Sequence, residues 1–208
     1  MFMTRALCGG TRRFQVQSLP RPRPLASSAL IMKWFKHIVP GLVIVVALLA
    51  VIGFLLPGSY RVERSQTIAA KPDAAFTIVN NLKTWPEWTA WTVARFPDMK
   101  IEFSGPGSGA GATYQWSGKS SGSGKLQITK AEAAQLIVYD LDFEQGKHVS
   151  KGEISFAPEG DAVKVKWVNY GELGGNPMNR WFGLRMDSMM GPDLQAGLDN
   201  LKKKLEAK

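Results

Sequence analysis

Six stretches in the second half of the chain alternate apolar and polar side chains with period two. Ile101 and Phe103 alternate with Lys100, Glu102 and Ser104, Tyr114 and Trp116 with Thr113, Gln115 and Ser117, and Leu126 and Ile128 with Lys125, Gln127 and Thr129. Further on, Ile137, Tyr139, Leu141 and Phe143 alternate with Val138, Asp140 and Asp142, Ile154 and Phe156 with Glu153 and Ser155, and Val163, Val165 and Trp167 with Lys164 and Lys166. Successive side chains on a strand point to opposite faces, so each stretch predicts a strand with one dry and one wet face. Glycine-, proline- and serine-rich turns at 105–111, 117–124, 145–147 and 158–161 separate them. This pattern predicts an antiparallel sheet packed on one side only. One more strand is expected over 60–68.

Helical signals bracket the strands. Lys71-Pro72-Asp73 opens a short helix with Phe76 and Val79 on one face. Asn176-Pro177 reads as an N-cap with proline at the first helical position. That helix is expected to run through Met190 and to kink or break at Gly191-Pro192. It resumes with Leu194, Leu198, Leu201 and Leu205 on one stripe, and Lys202, Lys203 and Lys204 suit its C-terminus. This last helix is the only predicted element long enough to cover the sheet. The fold class is α+β.

Residues 38–56 read IVPGLVIVVALLAVIGFLL, 19 residues without a charge or a strongly polar side chain. At about 1.5 Å per residue such a helix nearly crosses a hydrocarbon core of about 30 Å, and a helix satisfies its own backbone groups in lipid. The segment therefore predicts a transmembrane helix. Trp34, Phe35 and Tyr60 suit its two interfaces. A cleaved signal peptide has a shorter apolar core, roughly 7–15 residues, and a small-x-small site, which PGSYRVERS does not offer.

Charge supports this division. The chain has 208 residues with 26 Lys+Arg and 17 Asp+Glu. Residues 1–37 carry Arg5, Arg12, Arg13, Arg21, Arg23, Lys33 and Lys36 and no acid, so they hold +7 of the net +9. The high isoelectric point belongs to the head of the chain, which argues against a nucleic-acid-binding domain and gives no nucleic acid among the expected partners. Basic residues before the span place the N-terminus in the cytoplasm and residues 57–208 on the far, periplasmic or extracytoplasmic side of the inner membrane. Residues 1–37 read as a disordered basic tail. Within it, Met32 is a candidate true start, because MKWFKHIV onward already makes a complete insertion signal; a transit peptide is the other reading of 1–31. Arg12-Arg13 is a distant match to a twin-arginine signal. The one cysteine, Cys8, lies in this tail and cannot form an internal disulfide.

The run RVERSQTIAAKPDAAFTIVNNLKTWPEWTAW resembles the opening of the SRPBCC superfamily, the START/Bet v 1-like proteins, at Ile68, Ala70, Pro72, Ala75, Phe76, Val79, Asn81, Leu82, Trp85, Pro86 and Trp88. SGPGSGAGATYQWSG resembles that group's second hairpin, and GPDLQAGLDNLKKKLE its terminal helix. The resemblance covers about residues 58–206. It is nearest to a membrane-anchored bacterial subgroup, the polyketide cyclase/dehydrase-like proteins. It implies a helix-grip fold, a curved antiparallel sheet wrapped on a long C-terminal helix, enclosing an apolar cavity. Such proteins bind lipids, sterols, quinones, polyketides or hormones, and a minority are cyclases or hydrolases.

Inward side chains would line the cavity: Tyr114, Trp116, Tyr139, Phe143, Trp167, Phe182, Met186, Met189 and Met190. Trp and Tyr suit sites where a polar end finds a partner, and clustered methionines adapt to irregular apolar contents. Each residue could equally well fill a core. Trp85, Trp88 and Trp91 recur every three residues and read as framework or as a cavity gate. Asn80, Asn81 and Asp98 read as turn and cap residues. No catalytic residue is assigned. His148, in a turn, is the only histidine past the anchor, no nucleophile–histidine arrangement is visible, and no metal spacing or cofactor motif occurs. GPGSGAG leads into a strand and not a helix, and GSGKL lacks the P-loop spacing, so both read as hairpin loops.

The sequence therefore supports a membrane-anchored protein whose partners are the membrane and a hydrophobic small molecule. Two alternatives stay open: a cyclase- or hydrolase-type enzyme using pocket Tyr or Asp groups, and a structural or partner-binding module with a filled core. Ligand identity and oligomeric state are not legible.

Overall fold

A computed structural model describes residues 27–146 and 148–207. Its elements are α1 (Ser27–Leu55), β1 (Ser59–Ile68), α2 (Pro72–Asn80), a 3₁₀ turn (Leu82–Thr84), α3 (Trp85–Trp88) and β2 (Lys100–Ser104). There follow β3 (Thr113–Gly118), β4 (Gly122–Glu132), β5 (Leu136–Phe143), β6 (His148–Glu159), β7 (Ala162–Glu172), α4 (Pro177–Gly183) and α5 (Met186–Glu206). The chain divides into two compact units, one ending at Val45 and one beginning at Val46, so the boundary falls within α1.

α1 is longer than the apolar run alone predicts. It begins at Ser27, so residues 27–37, expected in the unstructured tail, are helical, and Pro40 sits inside the helix. The rest of the expected tail, with Cys8 and Arg12-Arg13, lies outside the described residues. Among the described residues, Ile38–Leu55 is the one helix long and apolar enough to cross a membrane. Its large side chains, from Ile38 to Leu55, are exposed.

The second unit holds a curved seven-stranded sheet in the order β1-β7-β6-β5-β4-β3-β2, with every neighbouring pair antiparallel. β2 to β7 form the meander that the alternation predicts. β1 does not join β2 but pairs along its whole length with β7, from Ser59 opposite Glu172 to Ile68 opposite Val163. Helices α2 and α3 occupy the crossover between them. A register shift between Ile128 and Lys130 on β4 marks a bulge, and bulges bend strands. β2 departs from expectation. Ile101 is half-buried and Phe103 exposed, because an edge strand lacks the cover its neighbours share.

α5 covers the dry face. Leu194, Leu198 and Leu201 are fully buried, as the leucine stripe predicts. Gly197 faces Trp167 so closely that a Cβ would stand 2.7 Å from the indole. Of the kink or break expected at Gly191-Pro192, the break does not occur: α5 runs through both, and the interruption falls at Leu184-Arg185. Pro192 removes one backbone donor from a helix otherwise held by its buried face. Gly191 serves close approach: a Cβ there would sit 1.9 Å from Nη2 of Arg64. Arg64 in turn donates to both carboxylate oxygens of Asp187, at 2.8 and 3.1 Å, tying β1 to the first turn of α5. That hydrogen bonding holds the Asp187 carboxyl below its ordinary range.

Candidate functional site

The sheet and α5 meet around an apolar cavity whose aromatic walls follow from strand parity. On β3, Tyr114 and Trp116 point inward and stack at 5.7 Å between ring centroids, and Trp116 meets Phe143 of β5 edge-on at 5.2 Å. On the other side Trp167 of β7 lies among the three tryptophans of the crossover, 6.0 Å from Trp85, 5.2 Å from Trp88 and 6.4 Å from Trp91. Trp85 also packs edge-on against Tyr139 at 5.5 Å and donates its indole N–H to the Val79 carbonyl at 2.8 Å. Leu126 and Leu141, opposite each other on β4 and β5, join these walls, and Met190 and Leu194 of α5 close them.

Tyr139 and Asn169, in one row across Gly152, anchor the hydrogen bonds of the lining. Trp167 Nε1 donates to the Tyr139 hydroxyl at 2.8 Å, and the Tyr60 hydroxyl donates to Oδ1 of Asn169 at 3.0 Å. Tyr139, Asn169 and Thr89 all line the cavity and are nearly inaccessible to solvent. Burial pushes the Tyr139 hydroxyl up to about 12, with the bond from Trp167 opposing that shift. Burial alone does the same to Tyr114, also to about 12. These phenols stay protonated at any physiological pH. Among the described residues the lining holds no carboxylate, histidine or lysine.

Tyr139 owes its seat to a glycine. It lies opposite Gly152 of β6, and a Cβ on Gly152 would be 1.9 Å from Cζ and 2.2 Å from the hydroxyl oxygen. The same device repeats at Gly124, where a Cβ would lie 2.3 Å from the Trp116 ring. The aromatic rings lie flat across bare backbone and leave a cavity of about 40 Å³. A space of about 10–15 Å³ on this scale holds one water, so this cavity has room for a few waters and is far smaller than a lipid or a quinone.

Of the nine side chains expected at a cavity, Tyr114, Trp116, Tyr139, Phe143, Trp167 and Met190 line this one. Phe182, Met186 and Met189 do not. Met186 packs half-buried against the core, while Phe182 and Met189 are exposed. The interruption at Leu184-Arg185 separates Phe182 from α5, and Met189 is turned about 100° around the helix from Met190. Of the three expected gate tryptophans, Trp85 and Trp91 reach the cavity, whereas Trp88 is fully buried behind them. Sequence reasoning missed Thr89, Leu126, Leu141, Asn169 and Leu194. Asn169 was within reach: it continues the inward parity of Val163, Val165 and Trp167, and a polar residue on a dry face demands a partner. Asn81 and Asp98 cap turns as expected. Asn81 accepts from Lys83 N, and Asp98 from the backbone of Lys119 and Ser120. Among the described residues no group of His, Cys, Asp and Glu could hold a metal ion.

A curved antiparallel sheet gripping one long C-terminal helix, with β1 returning beside the last strand, defines the Bet v 1-like class of the SRPBCC superfamily. Solved structures agree at the level of fold. Truncated norcoclaurine synthase from Thalictrum flavum superposes with a TM-score of 0.54 at 16% identity, over 72% of this chain and 95% of that one. The same enzyme in complex with dopamine and hydroxybenzaldehyde gives 0.53 at 18%, over 76% and 92%. The KanY protein in solution gives 0.52 at 17%, over 72% and 99%. No curated protein sequence matches the chain significantly. The family described as "Polyketide cyclase / dehydrase and lipid transport" matches residues 59–206, and the chain belongs to it.

Proposed function

We propose that this protein binds a hydrophobic small molecule between the sheet and α5, and that α1 anchors it in a membrane with residues 57–208 on the far side from the N-terminus. The carrying observation is the cavity lining. It is apolar and aromatic almost throughout, with Tyr139, Asn169 and Thr89 as the few polar groups that would orient a guest. The description of the family, lipid transport included, supports the same reading. Entry requires the cavity to widen, and the half-buried lining residues Trp91, Phe143 and Met190 are the side chains able to give way. Tethering would hold the pocket beside a pool of apolar molecules and raise their effective concentration.

The volume of about 40 Å³ favours a second reading, a module whose core is filled. Photo-crosslinking separates the two. The full chain in lipid nanodiscs is irradiated with a diazirine-bearing fatty acid, and the adducts are mapped on peptides. Binding predicts adducts on β3, β5 and the Met190 turn in addition to α1. Adducts confined to α1 would refute binding and leave the filled core. An acid–base enzyme draws least support, since the lining offers only phenols held protonated by burial.

A further inference from the structure

α4 has three faces with different surroundings. One packs on the end of α1. Trp181 Nε1 donates to the Leu49 carbonyl at 3.0 Å, and Arg180 donates to the carbonyls of Phe54 and Leu56 at 2.8 and 3.0 Å. The fit is built on Gly53, which is buried: a Cβ there would stand 2.8 Å from Pro177 Cβ and 3.1 Å from Trp181 Nε1. A second face meets the end of β7, where Asn179 donates to the Leu173 carbonyl and Gly183 sits against the Leu173 side chain. The third face turns outward and is apolar. Met178 and Phe182, one helical turn apart, are 57% and 51% exposed, and Leu184 and Met189 just beyond are 58% and 53% exposed. A water-facing helix ordinarily shows polar residues there.

The contacts with α1 fix where this apolar face lies. Leu49 precedes Leu56 by seven residues, so Trp181 is pinned about 10 Å before the end of the apolar run at 1.5 Å per residue. Leu48, Leu49, Ile52 and Leu55 of the same stretch are exposed as well, so the apolar surface of α4 continues that of α1. Arg180, the cation on α4, is directed inward to the carbonyls that the end of α1 leaves unpaired.

We propose that α4 and the turn after it are a membrane-docking surface, with Met178, Phe182, Leu184 and Met189 immersed at the headgroup–acyl boundary of the bilayer that α1 spans. An amphipathic helix lying in that plane buries its apolar face about 5–10 Å deep, which matches the depth set by Trp181. The anchor and the ligand domain are then not joined by a free tether. The domain is seated on the bilayer, and Met189 in lipid adjoins Met190 at the cavity.

This inference rests on the membrane-spanning reading of α1, and one experiment separates the two. Cys8→Ser removes the single native cysteine. Into that full chain, Phe182→Cys, Met178→Cys, Val46→Cys and Asp161→Cys are introduced singly and labelled with an environment-sensitive dye. The chain is reconstituted in phosphatidylcholine/phosphatidylglycerol vesicles with and without spin-labelled lipid. Docking predicts blue-shifted emission at 46, 178 and 182 that is lost with spin-labelled lipid, and water-like, unquenched emission at 161. Quenching at 46 with water-like emission at 178 and 182 would overturn the docking surface while leaving the span intact. Water-like emission at 46 as well would overturn both. Blue-shifted emission at 178 and 182 that lipid spin labels do not quench would mean that protein, such as a second copy, covers the patch, and would also overturn the proposal. Gly53→Val supplies a second measurement. It pushes α4 off α1, so quenching at 182 should fall while quenching at 46 persists.

Discussion

Gly152→Ala tests whether the aromatic floor of the cavity is held by bare backbone. The new Cβ would lie 1.9 Å from Tyr139 Cζ, so either the ring or strand β6 must shift. Overpacking of this kind costs about 1–3 kcal/mol. A shifted ring also withdraws its hydroxyl from Trp167 Nε1, and an unpaired buried donor costs about 1–3 kcal/mol more. The sum, about 4 kcal/mol, corresponds to a melting temperature lower by about 8–16 °C for a domain of this size. Urea unfolding of the full chain in micelles, followed by tryptophan fluorescence, measures it. The decisive comparison is the double variant with Tyr139→Phe. In that background the hydroxyl bond is already gone, so Gly152→Ala should cost only the steric part, and the two substitutions should fall short of additivity by about 1–3 kcal/mol. A neutral Gly152→Ala, or full additivity, would refute the idea that this glycine seats the Tyr139 hydroxyl.

Tyr139 also gives the domain an alkaline limit. Its proton is held to about 12 when folded against about 10 unfolded, so its contribution is complete below pH 10 and is lost between pH 10 and 12. That loss is on the order of 3 kcal/mol, and Tyr139→Phe should make the stability–pH curve less steep over that window, where Tyr114 acts in the same direction. Asn176 accepts from Met178 N at 2.9 Å and caps α4; Asn176→Ala should cost about 1 kcal/mol in the same unfolding assay and should loosen α4 from α1 before the sheet melts. Leu198→Ala, at a fully buried position under the sheet, should cost about 2–5 kcal/mol; a cost below 1 kcal/mol would mean that α5 is not the principal cover of the core.

Strand parity made most of the sheet legible. Each of β3 to β7 turns inward the residues that the alternation predicts, all of them buried but the half-buried Phe143, because a period-two pattern has only two faces to choose between. The pairing of β1 with β7 was not legible from pattern, since parity says which face is dry and not which strand lies alongside. The start of α1 was missed because hydrophobic runs mark where a helix is apolar and not where it begins. The uninterrupted α5 was missed for a related reason. Gly191 signals a break in isolation, yet here the position accommodates Arg64, a residue 127 places earlier. Phe182 and Met189, expected at the cavity on one helix over 177–190, stand exposed on two separate helices, α4 and α5. The turn at Leu184-Arg185 that separates Phe182 from α5 follows directly on Gly183, the last residue of α4.

The narrow cavity and the proposed membrane anchor bear on each other. An empty apolar void of about 300 Å³ would cost about 7 kcal/mol on the scale of core truncations, comparable with the whole stability of a small domain. A pocket lined by Trp91, Phe143 and Met190 can avoid that cost by letting those side chains fold inward, and a remnant of about 40 Å³ is what such a contraction would leave. A guest arriving from water would be drawn in by apolar burial at about 25 cal/mol per Å². A guest arriving from a bilayer has already left water, so exchanging acyl chains for indole rings brings almost no hydrophobic gain. On the proposed function, its preference for the pocket would then come from groups a lipid tail lacks: the buried hydroxyls and amide of Thr89, Tyr139 and Asn169. On the proposed reading the selectivity of the site would reside in these hydrogen-bonding groups, and the surrounding aromatic walls would set only the shape that a guest must take to reach them.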